Sequence, residues 1–242
     1  MEISKNITTM GDERKMTSLL RIPGLSRYLR LSKDLWEMSL TRALQYEVIQ
    51  DYSLGGQVLD VGGGERADYR SWLNCTSYKS VNIDSAIEPT WIIGDGDLLP
   101  CLSSSFDTVI SFNTLEHIFD AQFVLKEMYR VLKTGGELLI TTPFLFPIHG
   151  HPDDFFRPTS SWYRQALLVA GFDDVEVVPL SWGPFSTRLI CSGMPGPAKA
   201  LRKQVALLFD LLYLRLRRKQ EPSVVEDNLQ RFATAFIVRA IK

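Results

Sequence analysis

The run Val58-Leu59-Asp60-Val61-Gly62-Gly63-Gly64 sets strand-forming residues directly before a glycine cluster. A turn without side chains lets a ligand come up against the backbone, which is how nucleotide-type cofactors are held at the end of a strand. Gly62, Gly64 and Ala67 satisfy the dinucleotide spacing G-x-G-x-x-G/A. Asp84 follows about 20 positions later, where an acid accepts hydrogen bonds from ribose hydroxyls. The loop by itself therefore leaves more than one cofactor open, a nicotinamide dinucleotide among them. It also admits a bland reading in which Asp60 only holds the turn through backbone hydrogen bonds.

A second concentration of reactive groups lies at Pro143–Thr159, which holds His149 and His151, two of the chain's three histidines. Its prolines and Gly150 rule out a regular helix, so the segment is a shaped loop of the kind that carries substrate contacts. Imidazole titrates near neutrality, which makes His149 or His151 the candidate general base for a hydroxyl acceptor. An amine acceptor, once neutral, needs no such base. The alternative role for His149, Asp154 and Arg157 is a hydrogen-bonded brace for the loop. Imidazoles and carboxylates at His149, His151, Asp153 and Asp154 also suit several divalent ions. Pro152 and the short spacing make their simultaneous ligation awkward, and no metal is expected.

The elements that position these groups follow from hydrophobic spacing. Strand-like runs occur at Gln57–Val61, Ser80–Ile83, Trp91–Ile93, Thr108–Phe112, Glu137–Thr142, Val175–Leu180 and Ala233–Ile241, and helical runs between several of them predict a parallel sheet covered by helices. A helix over Ser32–Gln50, capped by Ser32, carries Leu35, Trp36, Leu40, Leu44 and Val48 toward the core. Two more span Ala121–Leu132, stopping at Gly135-Gly136, and Ser160–Ala170, stopping at Gly171. A fourth, from Lys199 to Arg218, places Leu201, Val205, Leu208, Leu212 and Leu216 on one side between basic ends. That stripe is expected to pack on the core or on a second copy; a membrane surface is the other reading.

Four further runs make the pattern specific: Gly94-Asp95-Gly96-Asp97-Leu98-Leu99-Pro100, Ser105 to Ser111, Asn113-Thr114-Leu115-Glu116-His117, and Tyr129 to Gly136. With the glycine loop, in this order and spacing, they resemble the class I S-adenosylmethionine-dependent methyltransferases, in particular the type 11 methyltransferase-domain family, over about Gln57–Leu180. The resemblance implies a Rossmann-like, doubly wound, seven-stranded and mostly parallel sheet with its last strand antiparallel. It implies S-adenosyl-L-methionine as cofactor: Asp60, Gly62 and Gly64 around its methionine part, Asp84 on the ribose, Asp95 facing the adenine amine and Asn113 beside the reactive methyl. Arg66 departs from the family, which widely has a third glycine there. The proline-rich loop resembles a subset of the family, marked by a Pro-x-His-x-x-Pro-x-Asp-x-x-Arg run, that is associated with saccharide or cell-surface polymer biosynthesis.

Length and composition bound the rest. A chain of 242 residues suits one domain with elaborations: an N-terminal arm and helix over 1–54, then a methyltransferase domain over 55–242 with a helical insertion at about 182–230. Lys plus Arg number 27 against 28 Asp plus Glu, and no Asn/Asp-Pro-Pro-Tyr-type run follows the fourth strand, so a nucleic-acid substrate is not expected. Three scattered cysteines, no signal-like apolar segment and no span of roughly 18 apolar residues point to a cytoplasmic protein. The expectation is a methyltransferase acting on a small-molecule or saccharide-like hydroxyl, with the proline-rich loop and the insertion forming the acceptor pocket. The insertion helix at 199–218 offers a peripheral membrane or homo-oligomer contact. The alternatives are a nicotinamide-dependent oxidoreductase and a non-catalytic methyltransferase-fold binding module.

Overall fold

Seven strands, β1 (Gly55–Val61), β2 (Asn74–Asn82), β3 (Trp91–Ile92), β4 (Phe106–Phe112), β5 (Leu132–Pro143), β6 (Asp174–Leu180) and β7 (Ala235–Ile241), make one sheet in the order β3-β2-β1-β4-β5-β7-β6. The pairs from β3 through β5 are parallel, and β7 runs antiparallel between β5 and β6. This is the Rossmann-like class the sequence implies. The computed structural model describes residues 21–94, 97–150, 152–193, 196–220 and 223–242, less the side chains of 218–220 and 223–224. The arm expected over the first 20 residues lies outside the described residues.

Seven helices complete the fold: α1 (Leu25–Asp34), α2 (Leu40–Ile49), α3 (Ala121–Val131), α4 (Ser160–Ala170), α5 (Pro184–Cys191), α6 (Lys199–Gln220) and α7 (Ser223–Arg231) among the described residues. The strands need apolar cover on both faces because both are buried. On one face Val124, Leu125 and Met128 of α3 and Tyr163 and Leu167 of α4 close over Leu59, Val109 and Leu138. On the other, Leu31, Leu44 and Val48 of α1 and α2, with Trp182 and Leu207, close over Val58, Ile110 and Leu139. The sheet changes direction at β1, with β2 and β3 on one side and β4 and β5 on the other, which opens a cleft at the carboxyl ends of these strands.

Local expectations fail in four places. The single helix over Ser32–Gln50 is two, because the Ser39 hydroxyl accepts from Arg42 N–H and starts a new helix. Ser32 lies inside α1, its hydroxyl bonded to Leu29 O, and Trp36 falls in the turn, 71% exposed. Gly135-Gly136 does not end a helix: α3 stops at Val131, and the pair sits in an irregularity of β5, where Gly135 takes φ +78° and the two glycines bond Lys242. The crossovers β1–β2 and β2–β3 carry only 3₁₀ turns, Asp68–Trp72 and Ser85–Ile87, in place of α-helices.

The fourth concerns α6. Its predicted stripe, Leu201, Val205, Leu208, Leu212 and Leu216, faces outward at 41–61% exposure, while Ala206, Leu207, Asp210 and Leu214 are buried. Polar anchors set that rotation. The buried Asp210 carboxylate accepts from Phe185 and Ser186 N–H, both at 2.8 Å, and so caps α5, while Leu207 O accepts from the Trp182 indole at 3.0 Å. Turning the leucines inward would strand these groups without partners.

Candidate functional site

The glycine loop folds over a buried carboxylate. Asp60, at 0% exposure, accepts through one oxygen from Tyr78 (2.7 Å) and Tyr69 (2.9 Å) hydroxyls. Burial pushes its pKa up to about 7, against the pull of the two phenols. A side chain at Gly63 would collide with that carboxylate, so the loop can close on Asp60 only where Gly63 stands. Asp60 therefore sits under the loop and holds it from below. Gly64 backs onto the carbonyl of Ile87. Gly62, at φ +97°, is the glycine of the predicted trio that lines the cleft.

That cleft contains a cavity of about 280 Å³ walled by Val81, Ile93, Leu99, Ile118 and Val124, with Asn82, Asp97 and Asn113 as polar points. From the end of β2 the lining residues are Asn82 and Ile83. Asp84 stands one position beyond, capping the next turn through its bond from Ala86 N–H at 2.8 Å. Asp95 lies outside the described residues. Asp97, two positions on, borders the cavity and holds Gly94 N–H at 2.7 Å. The oxidoreductase reading fails at this loop. Dinucleotide enzymes rest a pyrophosphate on the amino end of the helix after the glycines. Here no α-helix follows, and the N–H groups of Glu65 and Arg66 are taken by Glu88 O and Ile87 O at 3.3 Å each.

Asn113 closes β4 in the left-handed region, at φ 53°, a conformation asparagine tolerates better than most residues. Its amide forms a two-way pair with Gln45 of α2, at 2.6 and 3.2 Å. Beyond it opens a second cavity of about 330 Å³, lined by Glu37, Ser39, Thr41, Arg42, Phe146 and others. Arg42, Asn113 and His149 border both cavities. The second cavity thus belongs to the α1–α2 turn and the proline-rich loop, and no described residue of the 182–230 insertion lines it. The insertion acts from behind: Lys203 of α6 donates to Leu35 O (2.9 Å) and Met38 O (3.0 Å), fixing the turn that forms the wall.

In the loop, His149, Asp154 and Arg157 are joined as a brace. Arg157 grips both oxygens of Asp154, one of which also accepts from His149 N–H at 2.8 Å. These donors hold the Asp154 carboxyl below its ordinary pKa against the opposing effect of burial. The His149 ring reaches Pro147 O through Nδ1 at 3.3 Å, and burial first, then the neighbouring His117, lowers its pKa. His151 lies outside the described residues. Next to His149 stand two residues the sequence singled out only weakly. The His117 ring meets that of His149 edge-on, centroids 5.1 Å apart. Glu116 beneath them is 0% exposed, has no hydrogen-bond partner on either carboxylate oxygen, and is pushed by burial to a pKa of about 8. Gln45, Arg42 and Asn82 carried no motif, and only their meeting in space marks them; Asp97 lay within the Gly94–Pro100 run without a role of its own.

Residues 59–140 match the profile of the family described as "Methyltransferase domain". A Mycobacterium tuberculosis (strain H37Rv) protein named "Probable S-adenosylmethionine-dependent methyltransferase" is 32% identical over 92 residues, 36% of this chain and 34% of that protein. The match thus spans about a third of that relative's length. Among solved structures, an S-adenosylmethionine-dependent methyltransferase of Archaeoglobus fulgidus superposes with a TM-score of 0.52 at 15% identity, over 84% of this chain and 93% of that one. The [4+2]-cyclase SpnF does so equally, at 0.52 and 17%, over 85% and 84%. At such identities the likeness is one of fold, and these two names show that the fold serves more than one reaction.

Proposed function

We propose, from the premise that residues 59–140 form a class I methyltransferase domain of the S-adenosylmethionine-dependent kind, that this protein methylates a hydroxyl oxygen of a small, saccharide-like acceptor. The observation that carries this reading is the meeting of two cavities at Asn113 and His149. Methyl transfer needs a cofactor and an acceptor side by side, and most of its acceleration comes from alignment and exclusion of water.

The cavity at the ends of β1, β2 and β4 fits the cofactor. Apolar Val81, Ile93, Leu99 and Ile118 suit a flat base, with Asp97 at the edge and Gly62 allowing close approach. Asp84 and Asn82 stand on the ribose side, and Asn113 marks the reacting end. When bound, S-adenosylmethionine supplies a methyl group on a sulfonium sulfur. The second cavity is the acceptor's. Glu37, Ser39, Thr41, Arg42 and Gln45 around it offer donors and acceptors in the density that a polyhydroxyl compound requires. Gln45 holds Asn113 by its amide and so keeps the boundary between the two cavities in place. The acceptor proton leaves on the His149 side, where burial lowers the pKa of the imidazole and so favours its neutral, proton-accepting form.

The exposed apolar stripe of α6, lengthened by Phe209 at 55% exposure, supports a peripheral membrane contact with Lys199, Arg215 and Arg217 toward its ends. Among the described residues no helix is long and apolar enough to cross a membrane.

Calorimetric titration with S-adenosylmethionine tests the central claim. Saturable binding is expected, weakened by more than about 1 kcal/mol in Asp84→Asn, which keeps the acceptor for Ala86 but removes the charge. Folded protein that does not bind it would return the binding-module reading.

A further inference from the structure

The structure assigns a divalent-metal site, unrelated to the loop acids considered from sequence, to Glu116, His117 and His149. The three residues each bring one donor atom to within 4.8 Å of the others. An acidic cluster alone would mean little, but Glu116 is fully buried with both oxygens unpartnered. Leaving a buried carboxylate without a donor is costly, and natural structures leave very few such groups. His117 Nε2 stands 3.7 Å from Glu116 Oε1, too far for a hydrogen bond, and Arg157 and Asp154 act on this carboxylate only through space.

The imidazoles are set as ligands are. His117 Nδ1 contacts the backbone carbonyl of Asp153, and His149 Nδ1 reaches Pro147 O while facing Asp154 at 3.4 Å. A ring nitrogen that donates to a carbonyl leaves the other nitrogen with its lone pair, the arrangement that orients metal-binding histidines. Arg157 Nη2 also approaches His149 Nδ1 at 3.4 Å, and the tautomer whose Nδ1–H donates to Pro147 O at 3.3 Å is the one that leaves Nε2 free for a metal. Metal bonds of about 2.0–2.2 Å place ligand atoms roughly 3–4 Å apart, so the cluster must contract by about 1 Å, within reach of side-chain rotation.

Two imidazoles and one carboxylate, with further positions left for solvent or substrate, suit a first-row transition ion such as Zn²⁺, Mn²⁺ or Fe²⁺, whereas Mg²⁺ and Ca²⁺ prefer oxygen donors. His117 and His149 both line the cofactor cavity, and His149 also borders the second one, so the open positions lie at the junction. The functional half of this inference rests on the methyl-transfer reading: an acceptor hydroxyl on the ion loses its proton more readily. The proton then goes to solvent, and His149 acts as ligand rather than base.

Zn²⁺ titration of protein stripped with chelator, followed by calorimetry and by metal analysis after dialysis, tests the site without any turnover. One equivalent is expected to bind wild type, with affinity reduced more than tenfold in each of Glu116→Gln, His117→Ala and His149→Ala and unchanged in His151→Ala. Excess Mg²⁺ should not displace it. Circular dichroism checks each fold, and His149→Ala, at a partly exposed position, remains decisive should Glu116→Gln fail to fold. Equal binding by wild type and all three variants, or binding lost in His151→Ala but kept in Glu116→Gln, overturns the assignment. S-adenosylmethionine is titrated separately. Zn²⁺ bound without it would overturn the methyltransferase reading alone, and the reverse result would overturn the metal site alone.

Discussion

Two carboxylates lie under the same cleft, equally hidden from water and oppositely supplied with partners. Asp60, beneath the glycine loop, receives two phenol hydroxyls; Glu116, beneath the turn after β4, receives no hydrogen bond. Burial raises the pKa of both, to about 7 and about 8. The difference is one of hydrogen bonding, two donors on one acid and none on the other. Asp60 is met from within the chain at one oxygen, Oδ1 having no hydrogen bond, and through the other it fixes the loop's shape, whereas neither oxygen of Glu116 is met. The two histidines are pre-positioned by backbone carbonyls, and Arg157 acts on Glu116 only through space, without a hydrogen bond, so their region calls for something from outside.

The sharpest way to test this contrast is by truncation at each acid. Asp60→Ala should strip the Tyr69 hydroxyl of its acceptor, leave Tyr78 only the carbonyl of Gly64, and destabilise the fold by roughly 3–5 kcal/mol in urea denaturation. Glu116→Gln replaces a largely protonated acid by a neutral group of the same shape, and at pH 7 without metal it should change stability by less than about 1 kcal/mol. Equal losses would erase the distinction.

Removing one phenol is a gentler version. Tyr78→Phe leaves Asp60 with Tyr69 alone and also frees the carbonyl of Gly64, which Tyr78 contacts at 3.1 Å. A cost of about 1–2 kcal/mol is expected, together with weaker cofactor binding as the loop loosens.

The pH dependence is sharper still on sign. Asp60 faces Tyr69 and Tyr78 as donors and the Arg70 cation, yet desolvation dominates and lifts its folded pKa from 3.8 to about 7. Between these values the folded state holds a proton that the unfolded chain has released. The contribution of Asp60 is therefore fully present below about pH 4, declines as pH rises, and is gone above about pH 7. Urea denaturation at pH 5 and pH 8 should show a larger drop for wild type than for Asp60→Asn.

The smallest effect is expected from Lys203→Met. Its two carbonyl contacts hold the α1–α2 turn from outside the site, so acceptor KM should rise severalfold, with S-adenosylmethionine affinity unchanged. A change in cofactor affinity instead would mean that α6 braces the whole cleft rather than its acceptor wall.

How much could be read beforehand follows the range of the forces involved. Strand positions, the glycine loop, the cap at Gly171 and the sheet class were legible because apolar alternation and glycine conformation act over a few residues. The division of α1 from α2 was open to a reader who weighed Ser39 as a cap. The missing crossover helices were harder to foresee, since the 12 residues from Gly62 to Leu73 are near the shortest crossover of roughly a dozen that parallel strands allow.

By itself, then, the sequence determined which segments are strands, where the chain must turn and which family of folds could hold them, because each of these depends on neighbours along the chain. Tertiary structure alone decided which groups find partners. Gln45 meets Asn113 across 68 positions, the buried Asp210 turns a leucine stripe toward solvent, and Glu116 is left with two histidines and no donor. Periodicity reports which face of a segment is apolar. It says nothing of the distant polar atom that satisfies a buried group, and here that atom is present at Asp60 Oδ2 and absent at Glu116.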